Sequence, residues 1–156
     1  MLKVLALLGL AAVAKAAPEA DKVDYLPQMG NFSYGMYSGY LPITGTKKSL
    51  HYMFAQSQSN PSKDPLIVWF NGGPGCSSML GFAAEHGPFV VEDGADVFTK
   101  NEYSWNREAN MLYIESPAGV GYSICKEEGG CTFDDDSSAA DNLIAILNFF
   151  EKFPEF

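Results

Sequence analysis

An α/β fold is the class this sequence predicts, and three observations carry it. A β-forming apolar run, Leu66-Ile67-Val68-Trp69-Phe70, passes directly into the glycine turn Asn71-Gly72-Gly73-Pro74-Gly75 and on into a helix-like stretch. A second short apolar run, Met111-Leu112-Tyr113-Ile114, follows an irregular segment. After Ser137 the apolar residues fall at helical spacing. Strands and helices in this alternation pack as a sheet with helices laid on it.

The elements follow in chain order. Met1-Leu2-Lys3 is a short basic start, Val4 to Ala14 is unbroken apolar sequence, and Ala14-Lys15-Ala16 fits the small-x-small cleavage rule. Residues 1–16 therefore read as a secretory signal peptide, because the apolar run is far shorter than the roughly 20 residues a bilayer span needs. Residues 17–156 form the expected domain, with no membrane segment after cleavage. Ala17 to Met29 reads as a loose arm, and Ser33 to Leu41 as a strand interrupted by glycines. A turn at Gly45-Thr46-Lys47-Lys48 leads to a strand at Leu50 to Ala55, then a polar loop from Gln56 to Asp64. Leu66 to Phe70 is expected as a buried central strand. Ser77 and Ser78 are placed to cap a short helix ending at Glu85, before the stop signal Gly87-Pro88. Pro88 to Val91 suits a brief strand. In the last element Asp134, Asp135 and Asp136 precede Ser137, setting negative charge and a cap at the positive end of a helix dipole. Ala140, Leu143, Ile144, Leu147 and Phe150 are its expected buried face, widened by Ile146, Phe149 and Phe153, and Pro154 ends it.

Composition narrows the function classes. The chain is 47% hydrophobic and 13% aromatic, which suits a packed core. Its net charge of −9 argues against a nucleic-acid partner, which would need a basic face. His51 and His86 are the only histidines and no C-x-x-C pair occurs, so neither a metal nor another cofactor is expected. On a secretory route the cysteines become disulfide candidates. Cys125 and Cys131 flank a short polar turn that a bridge between them could close, which leaves Cys76 without a partner. Asn31-Phe32-Ser33 is a glycosylation sequon, with Asn31 the acceptor.

The glycine turn admits a bland reading, a tight connection with no ligand, and a functional one. Three glycines in four positions let the backbone take unusual dihedrals and present N–H groups to an anion or a developing oxyanion. No Lys follows Gly75 and no G-x-G-x-x-G is present, so phosphate and dinucleotide loops do not fit. Among functional readings, acyl-transfer chemistry is the sharper one.

Longer motifs add to this. Trp69-Phe70-Asn71-Gly72-Gly73-Pro74-Gly75-Cys76-Ser77-Ser78, Glu85-His86-Gly87-Pro88-Phe89, Tyr103-Ser104-Trp105-Asn106, Glu115-Ser116-Pro117-Ala118-Gly119-Val120-Gly121-Tyr122-Ser123 and Phe149-Phe150-Glu151-Lys152-Phe153-Pro154 occur in this order. Together they resemble the serine carboxypeptidases, an α/β-hydrolase family, over nearly all of the chain after residue 16. The resemblance implies the N-terminal part of an α/β-hydrolase fold, an incomplete central sheet flanked by helices. It implies that the Gly73 N–H forms half of an oxyanion hole. Asn71, with the Gly72 backbone, would grip the C-terminal carboxylate of a peptide or protein substrate, and Trp69 and Glu85 would support that grip. Cys76 would pair with a cysteine farther along the family's sequence. A secreted, lysosomal or vacuolar destination follows from the same likeness.

For Glu85 the chemistry requires a protonated carboxyl, which donates to a carboxylate where an ionised one repels it; burial and a second nearby carboxyl both favour protonation. The likeness also has a gap. The family's nucleophile sits in a Gly-x-Ser-x-Gly elbow, and none occurs here; Gly121-Tyr122-Ser123-Ile124-Cys125 ends in Cys. His51 and His86 both precede the position of the family's catalytic His. The Ser/Asp/His triad is thus expected outside these residues, and this chain alone is expected not to hydrolyse peptides at a useful rate. Two other readings are a shortened non-catalytic secreted binding protein and a family acyltransferase or lyase. The binding-protein reading has energetics against it, since half a sheet leaves an open edge and an uncovered helix face.

Overall fold

Residues 17–27, 29, 31–91, 94 and 96–156 are described by a computed structural model, and the expected signal peptide lies outside them. Strand β1 (Met36–Pro42) and strand β2 (Lys48–Ala55) form an antiparallel hairpin, with Met36 opposite Ala55 and Pro42 opposite Ser49. Its turn closes where the sequence places it, Thr46 N–H donating to the Ile43 carbonyl at 3.1 Å. Strand β3 (Leu66–Trp69) runs parallel to the later strand β6 (Asn110–Ile114), which pairs antiparallel with β2. The sheet order is β1-β2-β6-β3, and the short β7 (Ile124–Cys125) adds to the start of β2. Between β3 and β6, β4 (Phe89–Val91) and β5 (Phe98–Lys100) make a separate hairpin.

Every residue of β6 is buried, as a largely apolar run flanked by strands on both sides should be. Strand β3 departs from expectation. All four of its residues are half-buried, because among the described residues it is the sheet edge and pairs with β6 alone.

The helix α1 (Asp135–Lys152) starts one turn earlier than a Ser137 cap would give. Asp134 is the cap: its Oδ1 accepts from Ser137 N–H at 2.8 Å, and Asp134 N–H donates to Ser137 Oγ at 3.0 Å. Its buried face also differs from the expected one. Asp141, Ala145, Phe149 and Phe153 point inward at four-residue spacing, whereas Leu143, Leu147 and Phe150 are 59%, 55% and 37% exposed. The rotation has two causes. Lys48 pairs with Asp141, both side chains largely withdrawn from water. Phe149 and Phe153 then pack edge-on to Phe54 at 5.0 and 5.1 Å, with Tyr52 beside them. Aromatic area outweighs the aliphatic stripe on the other side.

The short helix expected from Ser77 to Glu85 is helical from Met79 onward, its last five residues, Gly81–Glu85, widening into a π-type turn with His86 N–H donating to the Gly81 carbonyl at 3.1 Å. So one α-helix covers one face of the sheet among the described residues. On the other face Met36, Met53, Met111 and Tyr113 meet Phe82 of the π-type turn and Phe89 of β4.

The N-terminal arm is tethered rather than loose. Asp21 accepts from Tyr52 Oη at 2.7 Å and pairs with Lys152 at 2.5 Å, tying the arm to the end of α1. Gly39 makes room, since a Cβ there would sit 2.6 Å from the Asp21 carboxyl. A disulfide joins Cys125 and Cys131, and Cys76 is free and exposed. No helix among the described residues is long and apolar enough to cross a membrane.

Candidate active-site loop

The glycine loop leaves the end of β3 and is fastened at both ends by adjacent serines. Ser78 Oγ donates to the Ile114 carbonyl at 2.6 Å and accepts from Asn71 N–H at 3.1 Å. Ser77 Oγ donates to Glu115 Oε1 and accepts from Met79 N–H at 3.1 Å. The two serines are staples more than caps. Between them the loop is open to solvent from Gly72 to Cys76. Gly73 has φ +142°, and a Cβ on it would meet Cys76 N and Sγ at 3.0 Å, so the position takes glycine. Its N–H makes no hydrogen bond among the described residues.

Asn71 is held in one orientation. Its Oδ1 accepts from Trp69 Nε1 at 2.7 Å and from Gly81 N–H at 3.2 Å. With the oxygen engaged twice, the amide's Nδ2 donors face elsewhere, and they have no acceptor among the described residues. Gly81 is part of this geometry, because a Cβ there would come 2.6 Å from Trp69 Nε1 and 3.1 Å from Asn71 Oδ1. The signal was available as a lone glycine inside a predicted helix, where glycine costs stability without a packing reason.

Trp69 links Asn71 to Glu85 through His86. Its ring meets His86 edge-on at 4.3 Å, His86 stacks on Trp105 at 4.2 Å, and His86 Nδ1 lies 3.2 Å from Tyr113 Oη. Burial holds the imidazole below its ordinary pKa, only partly offset by the Glu85 charge. His86 Nε2 has no hydrogen-bond partner among the described residues, Glu85 Oε2 being 3.8 Å away. Glu85 itself is 47% exposed along its side chain. The burial and paired carboxyl that would favour its protonation are not found among the described residues.

Glu115, which sequence reasoning did not single out, anchors the other end of the loop. It is fully buried at the end of β6. Burial pushes its carboxyl up, but hydrogen bonds from His51, Ser77 and the Tyr122 N–H outweigh that and hold it below its ordinary value. Its partners lie 64 and 38 residues away in the chain, out of reach of any local pattern. The remaining predicted positions do not join this site: Asn31 is exposed in an N-terminal loop, and Cys125 and Cys131 close the turn after β7. No cluster of metal-ligating side chains occurs among the described residues.

Comparison with known proteins gives a consistent picture. Residues 27–156 match the family model described as serine carboxypeptidase. Mouse lysosomal protective protein is 44% identical over 156 residues, which is 99% of this chain and 32% of that protein. The Caenorhabditis elegans serine carboxypeptidase ctsa-4.1 is 48% identical over 143 residues, 90% of this chain and 30% of its own length. Among solved structures, Kex1(delta)p, a prohormone-processing carboxypeptidase from Saccharomyces cerevisiae, superposes with a TM-score of 0.65 at 34% identity. That match covers 78% of this chain and 29% of the yeast chain. The chain thus spans about a third of the length of these relatives.

Proposed function

Because the chain belongs to the serine carboxypeptidase family, we propose that it carries the oxyanion loop and the carboxylate grip of an enzyme that releases C-terminal residues from peptides. The orientation of Asn71 is the observation that carries this reading. An amide whose oxygen is engaged by Trp69 and Gly81 presents only N–H donors, the complement of a substrate's terminal carboxylate. In the same loop the free Gly73 N–H is available to an oxygen that gains charge as a tetrahedral intermediate forms. Gly72 contributes backbone to the grip, Trp69 orients Asn71, and Glu85 borders it. Catalysis runs through an acyl-enzyme on a serine that this chain does not contain in a Gly-x-Ser-x-Gly setting. The 156 residues alone therefore bind peptide termini without turning them over. The lysosomal name of the mouse relative, together with the signal-peptide pattern of residues 1–16, supports passage through the secretory pathway.

Titrating the chain with a peptide ending in a free carboxylate and with its C-terminal amide, followed by NMR, tests the reading. The acid should perturb the Asn71 side-chain amide and bind at least about tenfold more tightly, a difference of about 1.4 kcal/mol. Equal binding of acid and amide would remove the carboxylate grip from the proposal.

A further inference from the structure

A second constellation shares Glu115 with the anchor of the glycine loop but faces a different cavity. Glu115 Oε2 lies 2.9 Å from His51 Nδ1, and His51 Nε2 lies 3.0 Å from Ser38 Oγ. The carboxylate accepts at Nδ1, which assigns the proton there and leaves the Nε2 lone pair for the serine hydroxyl. Glu115 is further fixed by the Tyr122 N–H at 2.9 Å and by Ser77 Oγ. His51 is fixed through its backbone, its N–H donating to Ser123 Oγ at 2.8 Å. The rings of Tyr40 and Tyr122 flank the imidazole edge-on at 5.7 and 5.3 Å. Ser38 and His51 open onto a cavity of about 700 Å³ whose wall includes Met29, Met53, Met79, Phe82 and Phe98. That volume is within the range of small-molecule sites, and the lining is largely apolar.

We infer that Ser38, His51 and Glu115 form a second nucleophilic site, at which Ser38 takes an acyl group from carboxylic esters with apolar acyl chains. Nucleophile, base and orienting carboxylate have the connectivity that activates a serine hydroxyl. Ser38 Oγ bonds to the ester carbonyl carbon as its proton passes to His51 Nε2. Collapse of the tetrahedral adduct breaks the bond to the alkoxy oxygen, and the Nε2 proton leaves with the alcohol. Water repeats the sequence on the acyl-serine, releasing the acid and restoring the hydroxyl. Glu115 acts as a positioning residue, keeping its charge beside the imidazole. The site shares no substrate-binding residue with the Asn71–Gly73 loop, so it stands or falls apart from the carboxypeptidase reading.

The test is reaction of the 156-residue chain with an alkyl fluorophosphonate, followed by peptide mapping. The chain has no Gly-x-Ser-x-Gly serine to confuse the result. Label on Ser38, with fluoride released in equal amount, is the expected result. Ser38→Ala should abolish it. His51→Gln, which keeps a side-chain partner for Glu115 but removes the base, should slow it by about 10²-fold or more. Label on other residues alone, no label on a chain whose circular dichroism and melting show it folded, or equal rates for His51→Gln and the parent would each overturn the inference.

Discussion

At the scale of single residues, the proposed carboxylate grip depends on positions that would never touch substrate. A methyl group on Gly81 would collide with Trp69 Nε1 at 2.6 Å and push the indole off Asn71. Gly81→Ala should erase the preference for peptide acids over amides and cost about 1–3 kcal/mol of stability, read from the NMR titration and from urea unfolding. Asn71→Asp keeps the acceptor for Trp69 but replaces the free donors with a second anion, so peptide acids should no longer bind while the fold persists. Glu85 invites a finer test. If it takes part, Glu85→Ala should weaken binding of peptide acids more than of their C-terminal amides; equal losses for both would assign Glu85 no part in the grip. The exposed glycine turn from Asn71 to Gly75 was legible in the sequence because its motif is local. Glu115, Ser77 and Ser78 were not legible as a set, because their contacts cross from β3 to β6 and no periodicity encodes them.

At the scale of elements, the strands were readable and the helical pieces less so. Runs such as Met111 to Ile114 are apolar throughout, and a strand flanked on both sides buries both faces. Helix α1 has apolar residues on more than one side, so its pattern allows two rotations. The choice falls to Phe149 and Phe153 packing on Phe54 and to Asp141 meeting Lys48, a partner 93 residues away. Asp141→Ala leaves the Lys48 ammonium shielded and unpaired, and should cost about 3–5 kcal/mol, a loss of that size in urea stability being the check. Asp134→Ala removes only the cap and should cost about 1 kcal/mol, with a proportionate fall in melting temperature. If the two losses were alike, the ion pair would not be what sets the rotation of the helix.

For the whole molecule, two buried groups set how stability responds to acid. His86 is held below its reference value of 6.5, so the unfolded chain takes up its proton first and stability falls as pH drops through the region below 6.5. Glu115 is held below its reference of 4.5, so its contribution is intact above that pH and disappears as the pH falls through its lower folded value. Urea midpoints across pH should show two descending steps. His86→Asn should remove the upper step and Glu115→Gln the lower. The outward apolar residues of α1 and the half-buried edge β3 act at the same scale. Replacing Leu143 and Leu147 with lysine should reduce self-association in sedimentation velocity without lowering the melting temperature, since both are more than half exposed.

The engaged oxygen of Asn71 has one more consequence, in the ionic strength of the medium. A pocket that holds an anion with arginine or lysine loses affinity as salt screens the attraction. In the proposed grip the donors are a neutral amide and backbone N–H groups, and the chain carries a net charge of −9. Long-range forces therefore work against an approaching carboxylate, and screening relieves them. Added salt should leave the affinity for peptide acids unchanged or raise it modestly, the opposite of what a cationic pocket would do.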